Sequence, residues 1–299
     1  MKYAVGLVCS LLALAALGTE AQATTWMQTK IKCPIGGKSF NANEMASNSY
    51  FGQRPDGRPY SPSPIPPIQE CPDNGFVIFD EKFSKDELAK LTSLVSSPEY
   101  QAMRTSESQH YRAWWLMKQV GRNPYSLAMR LMIASWEVDE LPATKIRYQK
   151  AFVAAVMALE VDGSRRQDWF WLRLRAANAL RELGRFAESD KLIDATMAPE
   201  NLPEEADQKE GAVQLATGLK ALNHDRNAKA EPANLVPARM AIELCKEAGL
   251  SAAEQVACDG PEVKEAREEL RKWRSPDEAS SDAAKDAAEA AQEAARKVE

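Results

Sequence analysis

The stretch Ala177-Asn178-Ala179-Leu180-Arg181-Glu182-Leu183-Gly184-Arg185-Phe186-Ala187-Glu188-Ser189 indicates a tight turn between two packed helices. Gly184 can adopt the left-handed conformation that ends a helix, and Phe186 can pack back across the turn. Small residues on both sides let the helices approach closely. Apolar residues continue at helical spacing in both directions, so we predict one helix over 165–183 and a second over 186–197.

The pattern Ala177-x-x-Leu180-x-x-Leu183-Gly184-x-Phe186-x-x-Ser189 resembles the middle of a tetratricopeptide repeat. Trp114-x-x-Met117-x-x-x-Gly121 is a fainter version of the same pattern. The resemblance implies a mainly α fold built as a tetratricopeptide-like helical array. An irregular helical bundle is the alternative, because any αα-hairpin needs a turn residue and facing apolar stripes.

Helical patterns fill residues 84–274, which we predict to form this helical domain. Ser84-Lys85-Asp86-Glu87 is a capping box that starts the first helix, and the apolar stripe after it stops before Pro98. Asn123-Pro124 is a second helix start, with proline at the first helical position. Further helices are predicted at 107–120, 125–137, 142–160, 204–222, 237–248 and 261–273.

Residues 24–83 have a different character and are predicted to be a small irregular or β module. Proline at positions 62, 64, 66 and 67 blocks both helix and central strand. Loose alternation over 26–33 and the apolar run over 75–79 are typical of short strands. A module of this size buries little core, so we expect it to need a covalent staple.

The two ends of the chain have recognisable patterns. Lys2, an apolar run over 3–17 and Ala21-Gln22-Ala23 are typical of a secretory signal peptide, which we expect to be residues 1–23 and to be cleaved. The apolar run is too short to span a bilayer, so the mature chain is predicted to lack an integral membrane segment. Residues 275–299 are mostly Ala, Glu, Asp and Lys and are predicted to be a charged tail, solvated or disordered.

The predicted export bears on whether the cysteines form disulfides. We expect a periplasmic location, with secretion as the alternative, and both compartments permit disulfides. Four cysteines follow the predicted signal peptide, and they allow three pairings. Proximity in sequence and the division into module and helical domain favour Cys33–Cys71 and Cys245–Cys258. Cys245 and Cys258 lack the CxxC spacing of a reactive pair, which favours a structural role.

The cysteine motifs also carry a family resemblance. The segment over 32–40, which contains Cys33-Pro34-Ile35-Gly36-Gly37, and Cys71-Pro72-Asp73-Asn74-Gly75 resemble the paired CPxCG knuckles of a bacterial family known as domain of unknown function 2225. The resemblance covers about residues 29–222 and implies knuckles followed by tetratricopeptide-like helices. Gly36 and Asn74 stand where the second cysteine of each knuckle belongs, and zinc needs a fuller ligand set. We therefore expect no metal, and a Cys33–Cys71 disulfide in its place.

The sequence contains few signs of nucleic-acid binding or of catalysis. A net charge of −5 lacks the basic footprint of a nucleic-acid binder. No nucleophile elbow, zinc-protease motif, P-loop or dinucleotide fingerprint is present in the sequence, and two histidines leave few general bases. We expect no cofactor and no catalysis. The alternative is an envelope enzyme or enzyme accessory with a site between the module and the helices.

The expected function is binding of a protein or peptide partner on the concave helical surface, as in other helical arrays. A purely structural envelope component is a further alternative. Aromatic and arginine side chains are enriched at binding surfaces, although core packing at helical spacing is the favoured account of the tryptophans and a solvated face that of the arginines. The candidate partner-binding residues are Trp114, Trp115, Trp136, Trp169, Trp171 and Arg173.

Overall fold

The computed structural model describes residues 24–273, so the predicted signal peptide 1–23 and the predicted tail 275–299 lie outside the described residues. Within this range the chain is mainly helical, as predicted. None of these helices has the length and apolar character needed to cross a membrane. The strands are β1 (Thr24–Lys32), β2 (Ser39–Asn48), β3 (Gln69–Glu70) and β4 (Val77–Ile78). The helices are α1 (Lys85–Val95), α2 (Pro98–Ser106), α3 (Gln109–Gln119), α4 (Pro124–Glu137), α5 (Pro142–Met157), α6 (Arg166–Glu182), α7 (Phe186–Thr196), α8 (Ala206–His224), α9 (Ala238–Leu244), α10 (Ala252–Cys258) and α11 (Pro261–Trp273).

The central helices α3 to α8 pack in chain order, each against the next. In addition α4 contacts α6, and α6 contacts α8. These three helices therefore form one layer, which we call the inner layer, with α5 and α7 packed between its members. Stacked helix pairs give this arrangement. The side chains between the helices form one continuous core from Tyr125 to Leu219.

The α6–α7 hairpin matches the prediction closely. Gly184 has a φ of +73°, which the turn requires and a residue with a Cβ rarely adopts. Ser189 Oγ donates a hydrogen bond of 2.8 Å to the carbonyl oxygen of Ala177. The two small residues that end the repeat pattern are therefore in direct contact across the hairpin.

The N-terminal module contains two small antiparallel sheets, β1–β2 and β3–β4. Its apolar residues do not form a separate core. Phe76 and Val77 are fully buried together with Leu91, Tyr100 and Leu116, which belong to α1, α2 and α3. The module and the first three helices therefore share one hydrophobic core. A third, smaller cluster joins α9, α10 and α11.

Both cysteine pairs stand at disulfide distance in the predicted pairing. The Cα atoms of Cys33 and Cys71 are 5.8 Å apart, and those of Cys245 and Cys258 are 5.6 Å apart, both within the usual range. The first pair joins two turns of the module, and the second joins α9 to the end of α10.

The two knuckle-like turns have matching backbone hydrogen bonds. The amide of Cys33 donates to the carbonyl of Lys38, and the amide of Cys71 donates to that of Phe76. Asn74, which occupies a cysteine position of the knuckle pattern, donates from Nδ2 to the carbonyl of Ile35 at 3.1 Å. The amide thus links the two turns beside the disulfide. Among residues 24–273 no group of three or more His, Cys, Asp and Glu side chains is arranged to hold a metal ion.

Several elements differ from the sequence predictions. Helix α2 was not predicted, because Pro98 was interpreted as a stop, whereas it occupies the first turn of a new helix capped by Ser97. Strand β2 was missed because its polar sequence lacks the expected β-branched residues. Helix α9 ends at Leu244 rather than 248, and α10 follows from a capping box formed by Ser251 and Glu254.

Candidate functional site

A short hairpin of the module, residues 51–60, lies against the inner layer; we call it the finger. Backbone hydrogen bonds join Phe51 to Tyr60 and Arg54 to Arg58. At its tip Gly57 has a φ of +88°, and a Cβ there would lie 3.2 Å from Arg175 of α6. It would also lie 3.6 Å from the ring of Trp136 of α4. Glycine is needed here both for the turn and for the close approach.

Arg54 is the centre of a buried ion cluster that holds the finger in place. Its guanidinium is 2.8 Å from Asp56, 2.7 Å from Asp139 and 3.1 Å from Glu231. Burial alone would lower the pKa of Arg54, but these carboxylates raise it well above its ordinary value. Tyr60 donates its hydroxyl to Glu231 at 2.8 Å. The finger is therefore fixed to residues far along the chain.

Asp139, just beyond α4, forms ion pairs with several side chains at once. Arg54, Arg58 and Lys145 all pair with its carboxylate. Burial raises the pKa of Asp139, but the hydrogen bonds and charges of Arg54 and Lys145 outweigh that effect and lower it. This carboxylate therefore stays ionised at neutral pH and is not a ready proton donor.

A polar seam continues from this cluster through the inner layer. Lys145 is 3.3 Å from Glu182, and Glu182 accepts a 2.7 Å hydrogen bond from Asn178. Arg181, with no solvent exposure, donates to Asn178 Oδ1 and to the carbonyl of Asn227 at 2.8 Å. Asn227 in turn donates to Glu254 of α10 at 2.8 Å. Fully connected polar contacts thus run from the finger to the C-terminal helices.

A cavity of about 420 Å³ opens between α4 and α6; we call it the α4/α6 cavity. Its apolar wall includes Tyr125, the partly exposed Met129, and Ile133 of α4, with Leu172 of α6 opposite. Three arginines also line it, Arg122, Arg130 and Arg165. The volume and the mixture of apolar and charged groups are typical of a ligand site.

Arg130 is fixed in this cavity through a buried histidine. Its Nη1 donates to Nδ1 of His110 at 2.9 Å, and Nε2 of His110 donates to the carbonyl of Pro66 at 2.9 Å. This requires a neutral imidazole protonated on Nε2. Burial lowers the pKa of His110 to about 4, with the charge of Arg130 acting in the same direction. The ring therefore positions Arg130 by accepting its hydrogen bond, and the neutral ring carries no positive charge that would repel the guanidinium.

The six residues predicted to contact a partner do not form one surface. Trp136 and Trp169 are buried in the main core, at 6% and 7% exposure. Trp114 and Trp171 are partly buried against that core, whereas Trp115 packs into the core shared with the module. The tryptophans predicted to bind a partner are therefore mainly core residues.

Arg173 lies over the ring of Trp169 at 4.6 Å and donates from Nε to Thr196 at 3.1 Å. Among the six candidates, Trp171 lines a cavity beside the finger. The groups that dominate the site, Arg54, Asp139 and Arg130, were not predicted. The only sequence signal was the polar turn Arg54-Pro55-Asp56-Gly57-Arg58, whose charged residues are unusually dense for a turn.

Comparison with known proteins yields no relatives. No protein-family model, no curated protein and no solved structure matches the chain. The resemblance to domain of unknown function 2225 therefore stays a prediction that rests on the two cysteine motifs.

Proposed function

We propose that this protein is an exported, non-catalytic scaffold that binds an extended segment of a partner protein in the α4/α6 cavity. The observation that carries the proposal is that the same face already binds backbone of the chain itself, at the turn of the finger. Arg175 of α6 donates to the carbonyl oxygen of Pro55 in the finger at 2.6 Å. Recognition of backbone carbonyls in this way does not depend on side-chain identity and suits a second peptide segment.

The finger and the cavity occupy one stripe on each of two helices. On α4, Met129 and Ile133 line the cavity, and Trp136, one turn further, packs against the finger. On α6, Leu172 lines the cavity, and Arg175, one turn further, holds the finger. The face formed by these stripes of α4 and α6 is therefore covered by the finger at one end and open at the cavity.

The charges in the cavity favour an acidic segment. Arg122 pairs with Asp80 and Glu87, and Arg165 lies 3.5 Å from Asp168. Arg130 has no carboxylate within ion-pair distance in the part of the chain that the structure describes. Burial lowers the pKa of Arg130, and the charge of Glu137 offsets that effect only in part. An anionic side chain of a ligand would compensate the remaining desolvated charge. Met129 and Ile133 would contact an adjacent apolar side chain.

Export, with a periplasmic location most consistent with the sequence and secretion as the alternative, is part of the proposal. It is supported by the signal-peptide pattern of residues 1–23 and by two cysteine pairs at disulfide distance. Fractionation of producing cells followed by mass spectrometry tests it. We expect the chain in the envelope or outside the cell, with Thr24 as its first residue and both disulfides intact.

The binding function is tested by affinity capture from an envelope fraction, followed by peptide scanning of each captured protein. We expect an acidic segment that binds the purified chain in fluorescence anisotropy. Met129→Glu places in the cavity a negative charge that repels the acidic segment, and it should weaken that binding at least tenfold. Val256→Glu is the matched control, because Val256 is exposed on α10, away from the cavity. Binding that Met129→Glu leaves unchanged contradicts the proposal, and absence of any specific partner favours a structural envelope role.

A further inference from the structure

A second cavity, of about 540 Å³, is lined in part by the finger, and the proposed peptide site does not use it. It is enclosed by α6, by α8, by the finger residues Arg54 and Pro55, and by the segment 234–237. We call it the α6/α8 cavity. Its volume is in the range of small-molecule sites.

Arg175 is the most informative side chain of this cavity. It is only 8% exposed, yet no Asp or Glu lies within ion-pair distance of it among residues 24–273. Its Nη1 donates to the carbonyl oxygens of Pro55 and Arg54, at 2.6 and 3.5 Å. For Nε and Nη2 the described residues supply no acceptor. A buried guanidinium without an ion-pair partner is costly. Nε of Arg175 faces Gly57 of the finger, and Nη2 is left as an unpaired donor of a side chain that lines the cavity.

The remaining walls define what could pair with that guanidinium. Trp171, Leu215 and Leu235 supply apolar surface, and Gln214 and Asn234 supply amide groups. Glu262 also borders the cavity, and Asp56 contributes negative potential at Arg175. Arg54 is already paired with three carboxylates. One unpaired cation among these acidic groups suits a monoanion better than a doubly charged phosphate. The planar fork of arginine matches a carboxylate in particular.

We propose that the α6/α8 cavity binds a small organic carboxylate, with the carboxylate on Arg175 and an apolar body against Trp171. The carboxylate would accept hydrogen bonds from the guanidinium donors that the finger leaves unused. Burying the apolar body between α6 and α8 would supply the rest of the affinity. This inference is independent of the peptide proposal, because it concerns a different cavity and a different class of ligand.

Gly211 of α8 allows a test that leaves Arg175 and the finger intact. It lines the cavity, and a Cβ added there meets no atom within 4 Å. Gly211→Leu would therefore place an apolar side chain in the cavity from a Cβ that meets no other atom, and it replaces glycine by a better helix former. Gly211→Ala improves the helix in the same way but fills little space, so it is the matched control.

The experiment is calorimetric titration of the full mature chain with phenylacetate and with its neutral isostere phenylacetamide. We expect saturable binding of phenylacetate, at least tenfold weaker binding of phenylacetamide, and loss of phenylacetate binding in Gly211→Leu but not in Gly211→Ala. Circular dichroism checks that both variants are folded. Three results would overturn the proposal: no binding of phenylacetate, equal binding of the amide, or undiminished binding to folded Gly211→Leu.

Discussion

Arg175 in α6 donates a 2.6 Å hydrogen bond to the carbonyl oxygen of Pro55, so a helix of the array binds the backbone of the N-terminal module directly. Together with the ion cluster around Arg54, this contact places a segment of the module on the inner layer. The module is therefore part of the packed structure. Its finger also lines one of the two cavities for which we propose ligands, the α6/α8 cavity.

Removing the central cation of the cluster should be strongly destabilising. Arg54→Met would leave Asp56, Asp139 and Glu231 without the guanidinium that joins them, and Arg54 itself is only 4% exposed. Removing one partner of a buried ion pair typically costs about 3–5 kcal/mol. We expect a loss of this size in the free energy of unfolding, measured by urea denaturation with tryptophan fluorescence.

The control for this prediction is Arg185→Met. Arg185 pairs with Glu188 within an exposed helical turn, and such surface pairs contribute little because solvent screens them. This variant should unfold at the wild-type urea concentration. If Arg54→Met also unfolds there, the cluster does not stabilise the packed finger.

The Cys33–Cys71 bridge should stabilise the module more than Cys245–Cys258 stabilises the C-terminal helices. The pairs are separated by 38 and 13 residues in sequence. In the chain-entropy model, loops of these lengths correspond to about 4 and about 3 kcal/mol. We expect Cys33→Ser/Cys71→Ser and Cys245→Ser/Cys258→Ser to lose stability in that order in urea unfolding. Equal stability of both double variants and the oxidised protein would contradict the prediction.

The contrast between the α6–α7 hairpin and the finger shows what the sequence could reveal. The hairpin depends on contacts within a few residues, such as the Ser189–Ala177 hydrogen bond, so its turn glycine and apolar periodicity were sufficient to predict it. The finger depends on Arg54 pairing with Asp139 and Glu231, which lie 85 and 177 residues further along. No local pattern encodes such partners.

The same reasoning applies to the cysteines and to the tryptophans. Cys33 and Cys71 could be paired because the alternatives cross predicted structural units. The tryptophans could not be divided into core and surface, because helical spacing identifies an apolar stripe but not the element that covers it. Trp136 is buried in the main core and also lies against Gly57 of the finger, and that second contact depends on the whole fold.

Neutral His110 should make the fold sensitive to mild acid. Burial lowers its pKa from 6.5 to about 4 in the folded chain. Below pH 6.5 the unfolded chain therefore binds a proton that the folded chain does not, so stability falls with decreasing pH until about pH 4. The pKa difference corresponds to about 3 kcal/mol over this interval. Urea unfolding at a series of pH values measures it.

Comparison with His110→Gln isolates this contribution. Glutamine keeps a donor and an acceptor, and the variant removes the titrating ring. Glu137, which accepts from the His110 backbone amide, has a pKa raised by burial and titrates with the opposite sign, but it is present in both proteins. We expect the stability difference between wild type and His110→Gln to change by about 3 kcal/mol between pH 6.5 and pH 4. His224→Gln, at an exposed histidine, should follow the wild type.

Two glycines of α8 should respond to alanine in opposite directions. Both lie inside the helix, where alanine is favoured over glycine by about 1 kcal/mol. At Gly211 a Cβ meets nothing within 4 Å, so Gly211→Ala should gain about that amount. At Gly218 a Cβ would lie 2.3 Å from a methyl group of Leu235, which must move from its place between α8 and the segment that borders the α6/α8 cavity.

Overpacking of this kind costs about 1–3 kcal/mol, so Gly218→Ala should be neutral or destabilised despite its better helix propensity. Thermal unfolding of the two variants in parallel gives the comparison, since they share helix, residue type and substitution. Adding Leu235→Ala to Gly218→Ala should recover part of the difference, because the clashing methyl groups are gone. Equal stabilisation of both single variants would mean that α8 does not pack closely against Leu235, and the α6/α8 cavity would then lack one of its walls.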